Sequence, residues 1–380
     1  MARQLPSMMR KAGLSEMDQG PELPVAAVLL RSPAATVAFD RQALARYLAG
    51  RGQDFDASAR PLQFSGGYGN LNYLIRVGEE WAVLRRPPLG EIPKGGNDMG
   101  REFRALSVLA PVWPLAPRPM AFCDDPAVLG APFLISEFRA GLPLHGQQPL
   151  GTAMTPAQAR DLSALQVDIL TQLHGFDIAA IGAGVLGRAE GFAARTLRGW
   201  TARLDGARTA SPPEAELLCR KLAESLPGEG RVSVIHNDFK LDNIVVDPAT
   251  LVPQAVLDWD MATLGSPFFD LATLLTYWAA PDDPPQLRAI NLTHSEAPGA
   301  LTRRELVEAY MRACGRDRGR DEAELRFFIG LAFAKLGVIY LQLYDRFQAD
   351  PAGYARNEKF GAAAPGAFAL GLDALDGKLI

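Results

Sequence analysis

The chain is short of cysteine, of basic charge and of any early hydrophobic run, and each shortage removes a class of protein. Among its 380 residues are 3 cysteines. Cys123, Cys219 and Cys314 stand far apart and form no CxxC pair, so neither a disulfide framework nor a zinc site is indicated. A reducing, cytoplasmic setting is expected. The formal net charge is −4 and the pI about 5.7, which leaves no electrostatic case for nucleic acid. Near the N-terminus only residues 25–30 are continuously apolar, too short and too late for a signal segment. The longest apolar stretch, residues 327–344, carries Lys335 at its centre and is flanked by Arg326, Asp345 and Arg346. A central lysine costs about 3 kcal/mol on insertion scales. A buried helix is expected there rather than a membrane span, and no membrane partner.

What is present suits a sizeable core: 48% hydrophobic and 22% charged residues. The length allows two domains or one bilobal fold. Residues 1–38 lack a clear period and read as a loosely ordered leader. Asp40 is placed to N-cap a helix over 41–48. Runs at 62–64, 71–77 and 81–85, joined by a glycine-bearing turn at 65–70 and another at 78–80, predict three antiparallel strands. A helix is predicted over 100–109, with Phe103, Leu106 and Leu109 on one face. Strands at 120–123 and 133–138 follow. This assigns 39–138 to one lobe, and 139–380 to a mainly helical second lobe. Helices are expected from Thr155-Pro156 to His174, and over 269–279, 303–314, 322–347 and 367–375.

The helical half is interrupted by His236-Asn237-Asp238-Phe239-Lys240-Leu241-Asp242-Asn243. Apolar runs flank this stretch, and a third, 255–257, leads into Asp258-Trp259-Asp260. Asp238, Asn243 and Asp258 are thereby predicted at the mouths of short paired strands. An aspartate and an asparagine five positions later, with a later aspartate, is the pattern of phosphoryl transfer. One carboxylate takes the hydroxyl proton, while the amide and second carboxylate hold Mg2+ against nucleotide phosphates. The plain alternative is a β-hairpin with Asp and Asn as ordinary turn residues.

Five strands and one helix, then a helical lobe bearing His-x-Asp-x-x-x-x-Asn, resemble the protein-kinase-like fold, an α+β bilobal architecture. From about residue 62 to 280 the sequence resembles the aminoglycoside phosphotransferase family, the choline-kinase-like branch. Within it, the phosphotransferase domains linked to acyl-CoA dehydrogenases are most similar. The carrying residues are Phe64-Ser65-Gly66-Gly67, Val83-Leu84-Arg85-Arg86-Pro87-Pro88, Arg101-Glu102-Phe103-Arg104-Ala105-Leu106, the His236 loop and Leu257-Asp258-Trp259-Asp260.

The resemblance implies Asp238 as the catalytic aspartate and Asn243 and Asp258 as Mg2+ ligands. Lys240 would touch the transferred phosphate, its bland alternative being a solvated lysine. It further implies that His236 packs beneath the loop and that Asp270 ties the loop down. Ser65, Gly66, Gly67 and Asn70 would arch over the phosphates, since glycines let backbone N–H groups approach anionic oxygen. No Gly-Lys-Ser/Thr follows, so this is not a Walker A loop. Arg85 stands where many kinases carry lysine, with Glu102 as its partner or, on the bland reading, an exposed helix glutamate. Glu137 and Phe138 fall where main chain would meet adenine. Trp200, Trp259, Tyr277 and Trp278 are candidates for an acceptor pocket or for core.

The implied function is Mg2+-dependent phosphate transfer from ATP or GTP to a small-molecule hydroxyl, a hydroxyacyl thioester or hydroxy acid leading. An aminoglycoside acceptor and a non-catalytic nucleotide-binding module are the alternatives. A protein kinase is disfavoured, because no Ala-Pro-Glu follows Asp258 and little chain remains for a peptide-docking segment. The sequence leaves the oligomeric state open.

Overall fold

The computed structural model describes residues 24, 30–65, 70–88, 97–144, 154–290 and 293–380. Its first half follows from period-two patterning. Helix α1 (Arg41–Ala49) is capped by the Asp40 carboxylate, which accepts from Ala43 N. Strands β1 (Leu62–Gln63), β2 (Leu71–Val77) and β3 (Glu80–Arg86) then run antiparallel. Helix α2 (Met99–Leu109) is followed by β4 (Pro119–Cys123), a single turn α3 (Pro126–Leu129) and β5 (Phe133–Glu137). The five-stranded order is β1-β2-β3-β5-β4. Along β3, Ala82 and Leu84 face a small core with Leu44, Leu48, Tyr73, Phe133 and Ile135. Their neighbours Val83 and Arg85 point to the other face, towards α2.

The second half opens with β6 (Leu142–Pro143) and α4 (Pro156–Gly175), whose start is a reciprocal Thr155–Gln158 capping box. Helices α5 (Phe192–Asp205) and α6 (Pro213–Glu224) follow, then β7 (Ser233–Ile235), β8 (Ile244–Val246), β9 (Pro253–Val256) and β10 (Thr263–Gly265). The chain ends in α7 (Pro267–Thr276), a single turn α8 (Pro285–Arg288), α9 (Arg303–Ala313), α10 (Arg318–Ala349) and α11 (Lys359–Leu375). Helix α10 is apolar on all sides along its middle and is correspondingly buried. It packs against α11 and α7, with Phe368 so close that a Cβ at Gly337 would lie 2.5 Å from its ring.

The structure refines the expectations at three places. Residues 30–38 are not loose: Arg31 N donates to Gln63 O (2.7 Å), Tyr73 Oη to Val37 O (2.8 Å), and Leu30 bridges Phe64. The remainder of the expected leader lies outside the described residues, apart from Pro24. The short strands expected around the His236 loop are paired, though not with each other across it. Strand β7 pairs with β10, while β8 sits between β6 and β9, because the loop crosses between two small sheets. Finally, α10 runs past its apolar stretch into charged residues at both ends, and α11 starts at Lys359 rather than at 367, its added turns burying Phe360, Ala363 and Ala364.

Candidate active site

The His236 loop alternates inward and outward. Phe239 and Leu241 are fully buried, which leaves Asp238 and Lys240 on the other side. Its entry is held by one carboxylate. Asp270, buried in the first turn of α7, accepts from His236 N and Asn237 N, both at 2.6 Å, and from His174 Nε2 at 3.2 Å. Asn237 takes φ 67°, a left-handed conformation that asparagine tolerates. His236 spends both ring nitrogens on structure. Nε2 donates to Leu257 O (2.8 Å), and Nδ1 accepts from Asp238 N (3.3 Å), so the partners set its tautomer.

Asp238 lies between two ammonium groups. Lys240 Nζ is 2.7 Å from Oδ2 and Lys335 Nζ is 3.7 Å from Oδ1. Burial works against the Asp238 charge, but Lys240 and then Lys335 outweigh it and hold the carboxyl below its ordinary value. Burial also opposes the Lys240 charge, yet Asp238 lifts that ammonium well above its ordinary value. Lys240 is thus paired rather than solvated, and its Nζ sits 5.1 Å from the centre of the Tyr277 ring. For Lys335 burial wins, and its pKa falls.

A second cluster joins the lobes. Arg85 Nε lies 2.7 Å from Glu102 Oε2, and Nη2 of the same guanidinium meets Asp258 Oδ1. Glu102 is 4% exposed, which overturns its reading as a surface glutamate. Burial pushes Glu102 up despite Arg85, and burial followed by the charge of Asp258 pushes Asp260 up. Asp258 itself has φ 73°.

Between the lobes lies a cavity of about 230 Å³. Ser65, Arg85, Glu102, Glu137, Phe138, Asn243 and Asp258 all line it, while Asp238 and Lys240 sit outside its lining. Asn70 does not line it either; its Oδ1 accepts from Asn97 Nδ2 at 2.6 Å. Gly66 and Gly67 lie outside the described residues. The amides of Glu137 and Phe138 are already given to Arg118 O (2.8 Å) and Trp81 O (3.1 Å). Sheet pairing therefore consumes the two amide donors, so a main-chain contact to a base at these two residues would go through their carbonyls. Trp200, Trp259 and Trp278 are core: Trp259 Nε1 donates to Val256 O and Trp278 Nε1 to Leu301 O.

Among the described residues no cluster of three or more His, Cys, Asp or Glu could hold a metal by itself. A shared site fits better. Asn243 gives Nδ2 to Asp238 O (2.9 Å), which leaves its amide oxygen as the remaining acceptor. With the Asp258 carboxylate this is a hard-oxygen pair that suits Mg2+ and needs phosphate and water to complete it. Sequence reasoning missed Lys335 and the buried His174, whose Nδ1 lies 2.7 Å from Tyr310 Oη. A lone charge inside the longest apolar run was the available signal for Lys335.

A five-stranded antiparallel lobe over a helical one, with this cleft between, is the kinase-like phosphotransferase arrangement. The chain belongs to the APH phosphotransferase enzyme family, which it matches over residues 61–323. It is 30% identical over 306 residues to rat acyl-CoA dehydrogenase family member 11, and 28% identical over 328 residues to mouse family member 10. These matches cover 80% and 86% of the chain but only 38% and 30% of the relatives' lengths. A Ralstonia eutropha crystal structure named as a candidate aminoglycoside phosphotransferase superposes with TM-score 0.70 at 25% identity, covering 90% of this chain and 99% of that one.

Proposed function

We propose that the protein is a Mg2+-dependent small-molecule kinase that moves the γ-phosphate of ATP or GTP to a hydroxyl. The observation that carries this is the interlobe cleft lined by Asn243 and Asp258, with Arg85 reaching in from β3 and Asp238 tied to Asn243, whose Nδ2 donates to the Asp238 carbonyl. In the reaction, Asp238 accepts the proton of the attacking hydroxyl, whose oxygen bonds to phosphorus as the bridging oxygen leaves with the nucleoside diphosphate. Lys240 stands beside that carboxylate, where its charge stabilises the phosphoryl group in transit. Arg85, shared between two carboxylates, is the cation available to the nucleotide phosphates. Asn243 and Asp258 are the residues that would hold Mg2+, which would supply charge neutralisation when bound. The protein's own contribution is then positioning and electrostatics.

A hydroxyacyl thioester or hydroxy acid is the acceptor class we favour. Asp238 is flanked by two ammonium groups, a setting that attracts an acceptor carrying carboxylate or phosphate and repels a polycationic aminosugar. Similarity to acyl-CoA dehydrogenase family members points the same way.

The test is phosphate transfer from ATP and from GTP, with Mg2+, to hydroxyacyl-CoAs, hydroxy acids, aminoglycosides, choline, homoserine and sugars, with Asp238→Asn as the blank. Transfer to the hydroxyacyl or hydroxy-acid class, absent in the variant, is the expected result. Transfer to aminoglycosides alone would overturn the acceptor class. Tight nucleotide binding without transfer to any acceptor would favour a non-catalytic module.

A further inference from the structure

Lys335 is the sole charged residue between Phe327 and Tyr344, in the most deeply buried part of α10. Its side chain is 3% exposed. Burying an ammonium is costly unless it gains specific partners, and an apolar residue would pack in this helix without that cost. Its polar partners are at the catalytic loop, and an aromatic ring of α7 lies beneath it. Nζ donates to the Asn237 carbonyl, lies 3.7 Å from Asp238 Oδ1, and sits 5.6 Å from the centre of the Phe269 ring.

Asn237 is the residue through which the loop is anchored. Its amide N–H goes to Asp270 on α7 (2.6 Å), its Nδ2 to Met261 O ahead of β10 (3.1 Å), and its carbonyl to Lys335 on α10. Three elements thus hold one left-handed residue immediately before Asp238. Lys240 cannot do this work, because it belongs to the same loop and moves with it. Lys335 projects from a helix packed against α7 and α11 and holds the loop relative to the whole lobe.

We propose that Lys335 is a positioning residue of the phosphotransfer centre, which clamps the Asn237 carbonyl from α10 and gives the Asp238 carboxylate a second positive neighbour. This rests on the phosphotransferase reading above and adds a residue 98 positions from the loop residue it holds.

Two variants test it. Lys335→Met keeps the length and apolar packing but removes donor and charge, while Lys335→Gln keeps a donor. We expect kcat for Lys335→Met to fall roughly 10²-fold, the scale of a slightly misplaced reacting group. KM for the nucleotide and the melting temperature should stay near wild type, and Lys335→Gln should fall between. Amide hydrogen exchange should rise in peptides covering 236–243 and not elsewhere. Wild-type turnover together with unchanged loop exchange in Lys335→Met would overturn the proposal. So would a parallel loss of stability, nucleotide binding and protection across the lobe, which would make Lys335 merely structural. If the wild type itself transfers no phosphate, the kinase reading fails. Loop exchange then decides the positioning role independently.

Discussion

Two charged clusters, one lining the interlobe cavity and one beside the catalytic loop, have opposite arithmetic. On one side a single cation, Arg85, serves two carboxylates, Glu102 and Asp258, and Asp260 nearby is pushed up by burial and then by the charge of Asp258. On the other a single carboxylate, Asp238, is served by two cations, Lys240 and Lys335. The first cluster gathers more carboxyl groups than cationic side chains, and the second more cationic side chains than carboxyl groups. On the proposed function, a divalent cation would complement the first cluster and a phosphoryl group the second.

The comparison can be broken at the carboxylates first. Asp238→Asn should lower turnover by on the order of 10³-fold while nucleotide affinity, read by calorimetry, changes little. Retained turnover would remove Asp238 from the chemistry. Asp258→Ala should act on the other side, weakening Mg2+-nucleotide binding roughly 10²-fold in the same titration, as expected for a metal-site residue. Unchanged affinity would put the metal elsewhere.

Two smaller changes sharpen the contrast. Arg85→Lys keeps the charge but cannot span Glu102 and Asp258 together, so nucleotide KM should rise about tenfold, the worth of one charge-assisted hydrogen bond. An unchanged KM would mean that charge alone suffices there. Asp98 caps α2, the helix that carries Glu102, by accepting from Arg101 N at 2.9 Å. Asp98→Ala should cost about 1 kcal/mol in chemical denaturation, with only a slight effect on turnover. A large loss of turnover at unchanged stability would show that the cap tunes the Arg85 cluster directly.

Much of the fold was legible. Alternation along 71–77 and 81–85 requires strands with one buried face, and the capping residues Asp40 and Thr155 mark helix starts that the structure keeps. Partners were harder to read. Strands were legible on both sides of the His236 loop but not their partners: β7 takes β10 and β8 takes β9, because strand pairing is a contest among all edges available. The same limit applies at Glu137 and Phe138, whose position was readable but whose amides were already claimed by Arg118 and Trp81 carbonyls.

By itself the sequence determined what depends on neighbours in the chain. The spacing of His236, Asp238, Lys240 and Asn243 sets which side chains leave one loop together, and composition sets that α10 must be buried. Only the tertiary structure decided which way that burial pointed. The lysine inside an apolar helix, read locally, argues only against a membrane span. Packed against α7, the same residue lies beside Asp238, because the contact depends on how two helices cross rather than on any pattern within either.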